Sequence, residues 1–313
     1  MITTTLGNTG LAVSAMCYGT MRLGTREDES TSFALLDRYV AAGGSFLDTA
    51  NIYAHWQDNG QGGDSETLLG KWMAQRSNRD EIFLASKVGF GYPGVETGLR
   101  ASQIKTECEK SLERLGTDRI DLYYAHCDDA ATPLNETMTA FNELLHEGKI
   151  RAIGASNYTA WRLAEANCVC RTNSIEGFVC LQQRFTYLWP KRLADFSPQK
   201  AMTGSLLEYC HQRKVSILAY SPLLSGAYTR DDRKIGEKYM HAGSIERLAV
   251  LEKIANRRCV SKNQIILAWM LNSKPLVIPV FSASTPEQMD ENLGALEIQL
   301  SDEEMLELDV AGA

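Results

Sequence analysis

Short apolar runs of four to six residues recur along the chain at 15–18, 45–48, 82–87, 121–126, 151–155, 177–181, 215–220 and 276–280. Runs of that length, bounded by turn residues, read as buried strands rather than helices. Between them lie segments of helical period at 32–41, 65–73, 101–115, 134–145, 159–166, 205–213 and 265–272. Ser65 and Thr159 stand where N-caps belong, and Gly116 and Gly148 where a helix ends in a left-handed turn. A hairpin is expected ahead of the first run, with arms at 3–6 and 11–13 and a turn at Gly7-Asn8. Ser301 opens a capped helix at the C-terminal end.

Strands that alternate with helices predict right-handed βαβ units and a parallel sheet. Eight such units in 313 residues, with no Gly-x-Gly-x-x-Gly turn after an early strand, predict an α/β fold closed into a (β/α)8 TIM barrel. The chain reads as a single domain over 1–313 with no linker. Segments 185–202 and 223–243 do not fit the repeat and are expected as long loops on the C-terminal face, where ligand contacts are made.

Composition narrows the function classes. Hydrophobic residues make up 44% and charged residues 23% of the chain, ordinary for a globular protein with a sizeable core. A net charge of −7 argues against a nucleic-acid partner. No apolar run reaches the ~18 residues of a membrane span, so no membrane partner is expected. The first residues lack the pattern of a signal peptide, and the scattered cysteines read as reduced core thiols; both point to the cytoplasm. Cys168-x-Cys170 has no zinc-spaced companions, so no metal site is expected.

In a barrel the C-terminal strand ends converge on one face. Taken in order, those ends carry Asp48 with Tyr53, then Lys87, His126, Ser156-Asn157, Gln182-Gln183, Tyr220-Ser221-Pro222 and residues 282–284. Asp48 at the tip of a buried strand needs a cation, and Lys87 supplies one. An ammonium beside the Tyr53 phenol is expected to lower its pKa from about 10, making it a proton donor to a carbonyl oxygen near neutral pH. His126 would orient that oxygen. Such a donor needs a hydride source, which proteins take from a cofactor. Tyr220 offers a face for a nicotinamide ring, with Ser156, Asn157 and Gln183 to hold its carboxamide.

With these residues in place, the chain resembles the aldo-keto reductase superfamily over essentially its whole length. The resemblance is carried by Leu6-Gly7-Asn8-Thr9-Gly10-Leu11, Phe46-Leu47-Asp48-Thr49-Ala50-x-x-Tyr53, Ser86-Lys87 and Arg119-Ile120-Asp121-Leu122-Tyr123-Tyr124-x-His126. Gly154-x-Ser156-Asn157, Ala219-Tyr220-Ser221-Pro222-Leu223 and Thr285-Pro286-Glu287-Gln288-x-x-Glu291-Asn292 complete it. It implies NADP(H) extended across the barrel face and reversible reduction of a small-molecule aldehyde or ketone. Tyr53 would be the acid, Lys87 and Asp48 its tuning pair and His126 the orienter.

Asp48, Ser156, Asn157, Gln183, Tyr220 and Ser221 match cofactor-contacting positions, as do Leu223, Ser225 and Gly226 over the pyrophosphate. Ser282, Ser284, Gln288 and Asn292 match the adenosine end. There the chain has hydroxyls and an amide where many members carry the cations that hold a 2′-phosphate, which leaves NAD(H) open unless Arg230, Arg233 or Lys234 substitutes. Trp56, in the glycine-rich loop 54–65, and Tyr92, Trp189 and Tyr187 are candidates for the substrate pocket wall. The family also includes the potassium-channel β subunits, so a cofactor-loaded regulatory subunit with little turnover is the alternative. Oligomeric state is not readable from the sequence.

Overall fold

The computed structural model describes residues 1–56 and 60–312, so Asp58 and Asn59 of the glycine-rich loop lie outside the described residues. Two short strands, β1 (Thr3–Thr5) and β2 (Ala12–Ser14), form the expected hairpin, antiparallel with Thr3 opposite Ser14. The barrel strands follow as β3 (Cys17–Gly19), β4 (Phe46–Asp48), β5 (Phe83–Val88) and β6 (Leu122–Ala125). The remaining four are β7 (Ile153–Ser156), β8 (Cys180–Arg184), β9 (Ser216–Tyr220) and β10 (Val277–Phe281). They pair in chain order, all parallel, and β10 closes against β3. The expected (β/α)8 barrel with an N-terminal hairpin is the observed fold. No helix among the described residues is long and apolar enough to cross a membrane.

Around the barrel run α1 (Glu29–Ala41), α2 (Asp64–Arg76), α3 (Ala101–Leu115), α4 (Leu134–His146) and α5 (Ala160–Asn173). They are followed by α6 (Gly204–Arg213), α7 (Ala242–Arg258), α8 (Lys262–Asn272), α9 (Pro286–Leu293) and α10 (Asp302–Val310). Helix α7 was not expected from the sequence. Its buried positions do keep helical spacing, but Ser244 and Arg247 among them interrupt the apolar stripe that a sequence reading follows. Ser65 does not cap α2, whose N-cap is the left-handed Gly63; its hydroxyl donates to the Thr20 carbonyl instead. Ser301 does cap α10, in a capping box with Glu304.

Side chains of a strand alternate between faces, and the core divides accordingly. One buried cluster, containing Cys17, Phe46, Phe83, Ala85, Leu122, Tyr124, Cys180, Leu218 and Ile278, fills the barrel interior, with Leu6 and Val13 of the hairpin packed into it. The alternate residues, such as Leu47, Leu84, Tyr123, Leu181 and Ile217, join the larger cluster between barrel and helices. Each interior row points to the C-terminal rim: Phe46 leads to Asp48, Ala85 to Lys87, Tyr124 to His126, Cys180 to Gln182 and Leu218 to Tyr220. The polar rim is therefore the top layer of the same inward-facing set.

Gly154 on β7 makes room for that layer's support. A Cβ there would meet the Tyr124 ring carbons at 2.5 Å, and Tyr124 lies under the Lys87 ammonium, 5.8 Å from ring centroid to nitrogen. Gly154→Ala is expected to lower stability by about 1–3 kcal/mol through overpacking. Gly204→Ala, with nothing within 4 Å of the new methyl, serves as the silent control in the same denaturant titration.

Candidate active site

Strand β4 ends in Asp48, and the chain turns at once through Thr49 and Asn51 to Tyr53. Buried hydroxyls hold this turn: Thr20 Oγ1 donates to the Asp48 carbonyl, and Thr49 Oγ1 donates to Ser65 Oγ. Farther out, Asn51 Nδ2 donates to Glu107 Oε2 at 2.7 Å, and the Gly63 amide donates to the Tyr53 carbonyl at 3.1 Å. The phenol is thus carried on a segment tied at both ends.

Lys87 enters from β5 with no exposed surface. Its Nζ donates to Asp48 Oδ1 at 2.5 Å, to the Thr49 carbonyl at 2.7 Å and to the Tyr53 hydroxyl at 2.9 Å. Three acceptors use all three ammonium protons. The other carboxylate oxygen, Asp48 Oδ2, accepts from Gln182 Nε2 at 2.7 Å. Because Lys87 donates to the Tyr53 oxygen, the phenolic proton is left to point elsewhere, and Tyr53 lines the cleft.

Burial raises the Tyr53 phenol above its ordinary value of 10.0; Lys87 pulls against burial, and Asp48 adds to the rise. The expectation that Lys87 would bring the phenol down is therefore corrected. The ammonium limits a rise that desolvation would otherwise make larger, and Tyr53 remains protonated at neutral pH. Lys87 stays charged, since Asp48 and Tyr53 outweigh the desolvation that disfavours its ammonium.

His126 follows β6 and packs edge-on against Phe90, with centroids 4.7 Å apart, and Tyr53, at 6.1 Å. Burial first, and the Lys87 charge second, hold it well below 6.5, so the imidazole is neutral. Its Nδ1 is buried without a partner. A buried N–H is costlier to leave unpaired there than a lone pair, so the proton belongs on Nε2.

The cleft has a volume of about 390 Å³. Ser156, Asn157, Tyr220 and Ser221 line its middle. Leu223, Ser225 and Gly226 border it, and Ser282, Ser284, Gln288 and Asn292 form its far end. Gln183 is not among the lining residues. Its Oε1 accepts from the Asn157 amide and its Nε2 donates to the Tyr158 carbonyl, away from the cleft. Strand β8 runs on to Arg184, so the two glutamines face opposite sides and Gln182 is the one that lines the cleft.

Asn157 sits in the left-handed region at φ 61°, and its side-chain groups are taken. Its Nδ2 donates to the His126 carbonyl and to Ser156 Oγ, while its Oδ1 accepts from the Lys200 amide and the Tyr220 hydroxyl. It joins the rim strands to one another more than it offers a free donor.

Of the proposed pocket-wall aromatics, only Trp56 lines the cleft, its ring 6.1 Å from that of Tyr53. The Tyr92 hydroxyl donates to Glu107 Oε2 instead. Trp189 packs on Phe185, and the buried Tyr187 donates to the Leu308 carbonyl. The sequence reading missed Phe90, Gln199 and Arg22, and named Gln182 at a strand end but gave the site role to Gln183; all but Gln183 line the cleft. Strand parity would have singled out Gln182; no local signal marks Gln199, which arrives on the loop 185–202. Arg22 NH1 donates to Ser284 Oγ at 3.2 Å. Arg230 lines the cleft too, whereas Lys234 does not.

Comparison with known proteins places this barrel among the oxidoreductases of the aldo/keto reductase class. The family's sequence profile matches residues 15–312, and the chain belongs to the Aldo/keto reductase family. It is 35% identical to the norsolorinic acid reductase stcV of Emericella nidulans, over 96% of this chain and 78% of that protein. It is 33% identical to the uncharacterized oxidoreductase YrpG of Bacillus subtilis, over 97% and 94% respectively. Among solved structures it is similar to the thermostable aldo-keto reductase Tm1743, crystallised with the inhibitor epalrestat. That pair shares 31% identity at a TM-score of 0.77, over 99% of both chains.

Removing one partner of a buried ion pair leaves a bare charge, at a cost of about 3–5 kcal/mol. Lys87→Met is expected to destabilise the protein by that amount. Lys87→Met combined with Asp48→Asn should recover a large part of it, read as the coupling in a urea double-mutant cycle.

Proposed function

We propose that the protein reduces an aldehyde or ketone to the alcohol, reversibly, with Tyr53 as proton donor and hydride from a nicotinamide cofactor, NADP(H) in preference to NAD(H). The single observation that carries this reading is the 2.9 Å bond from the Lys87 ammonium to the Tyr53 oxygen. It holds the phenol so that its proton faces the cleft and its developing phenolate meets a positive charge. His126, neutral, donates from Nε2 to the substrate oxygen and fixes it beside Tyr53. Asp48 keeps Lys87 charged, and Gln182 keeps Asp48 in place.

The cleft residues fit a dinucleotide. The Tyr220 face suits a flat ring, the Ser156 hydroxyl and the Gln182 side chain suit a carboxamide, and Arg22 and Arg230 bring positive charge toward the serine-rich far end. When bound, the cofactor supplies the hydride. The guanidiniums are the support for NADP(H), since arginine pairs with phosphate through two parallel bonds, Arg230 exchanging for them the two it gives Asp232. No membrane or nucleic-acid partner is part of this reading, and the proposed location is the cytoplasm.

Tyr53→Phe should lower kcat for aldehyde reduction by about 10²–10⁴-fold while leaving cofactor binding, followed by tryptophan fluorescence, intact. A cofactor-loaded regulatory subunit would instead show binding with no turnover to lose. Because the phenol's pKa is raised and that of His126 lowered, neither titrates near neutrality. Reduction should therefore be level from about pH 7 to 9. Alcohol oxidation, which needs the phenolate, should rise with pH across the same range. Fluorescence titration should also show tighter binding of NADPH than NADH, with Arg230→Ala weakening NADPH selectively.

A further inference from the structure

A second cavity of about 260 Å³ opens beside the cleft and shares Met21, Arg22, Trp56 and Ser225 with it. Arg26 and Arg233 line this cavity alone. Three guanidiniums thus border one small space in a chain whose net charge is −7. Among the described residues no carboxylate lies within 4 Å of Arg22 or Arg26. The carboxylate nearest Arg233, Asp232 at 3.7 Å, is engaged by Arg230 through two hydrogen bonds. Clustered like charges with so little compensation repel one another, and an anion relieves that repulsion.

Two of the four residues shared by the cavities, Met21 and Trp56, are apolar. Met21 and Trp56 are 44% and 47% exposed, unusual for side chains of that size. Trp56 also faces the ring of Tyr53. A molecule whose carbonyl lies at Tyr53 would therefore pass along Met21 and Trp56 before reaching the arginines.

We propose that this side cavity is a substrate subsite for an anionic group, so that the preferred substrates are carbonyl compounds with an apolar, ring-sized body and a carboxylate or phosphate at the far end. The inference rests on the carbonyl-reductase reading above. Arg26 and Arg233 hold the anion from the outer side, and Arg22 sits between the substrate's charge and the cofactor end of the cleft. The reaction at the carbonyl is unchanged: the carbon takes the hydride, the oxygen takes the Tyr53 proton, and the anion stays intact.

The test compares 4-carboxybenzaldehyde with its neutral methyl ester, and NADPH affinity is measured alongside. Charge-assisted hydrogen bonds contribute about 1.5–3 kcal/mol, so the wild-type kcat/KM ratio of acid to ester should be roughly tenfold or more. In the double variant Arg26→Gln/Arg233→Gln that ratio should fall toward one, chiefly through KM for the acid. A wild-type ratio near one, or a ratio unmoved by the double variant, overturns the proposal. If the variant weakens NADPH and leaves the ratio alone, the arginines serve the cofactor's phosphate and the proposal is likewise overturned. Should neither aldehyde be turned over, the reductase reading fails by itself. The subsite is then decided by binding of 4-(hydroxymethyl)benzoate against its methyl ester, read from Trp56 fluorescence: a preference for the acid that the double variant abolishes supports it, and equal binding overturns it.

Discussion

A charge that cannot be left alone governs the architecture of this rim. Asp48 stands at the tip of a buried strand with 1% of its side chain exposed, where an isolated carboxylate would be strongly disfavoured. Lys87, from the neighbouring strand, is equally buried, and each is tolerable only because the other is present. The remaining valences of the pair are then fixed. Gln182 takes the second carboxylate oxygen, and Thr49 and Tyr53 take the remaining ammonium protons. Satisfying one buried ion pair thus places a phenol, an amide and a backbone turn to within hydrogen-bond tolerance.

Much of this was legible in the sequence, for a definite reason. The apolar runs are short and regularly spaced, so the barrel and its strand order followed from counting. Asp48, Tyr53, Lys87 and His126 then fell on one face because closure brings strand ends together. What failed was finer than an element. Extending the sixth run three residues too early put Gln182 and Gln183 beyond the strand, where alternation no longer separates them; within β8 they face opposite sides. Tyr92, Trp189 and Tyr187 looked like pocket walls because they are aromatic and near the rim in sequence. Their hydroxyls or rings were instead consumed by Glu107, Phe185 and Leu308, partners that only the folded chain supplies. The direction of the Tyr53 shift was misjudged for a related reason: a sequence names the neighbouring cation but not the depth of burial that opposes it.

The long loops show how non-local contacts complete the site. Residues 185–202 and 223–243 follow adjacent strands and pack on each other. The Lys191 amide donates to the Lys238 carbonyl, Phe196 meets Tyr239 at 5.5 Å, and Tyr228 accepts from the Leu188 amide. Through Gln199 on one and Ser225, Thr229 and Arg230 on the other, both reach the same cleft. The cleft wall is therefore built in part from two segments that stabilise one another.

An aldehyde and a lysine amine side by side ordinarily condense, losing water to form an imine. In this barrel the amine nearest the Tyr53 hydroxyl is barred from that reaction twice over. It has no exposed surface, and its nitrogen carries three protons, each bound to a different acceptor, so no lone pair is free to attack. The same bonds that hold the phenol therefore leave Lys87 unable to condense with a carbonyl compound beside it.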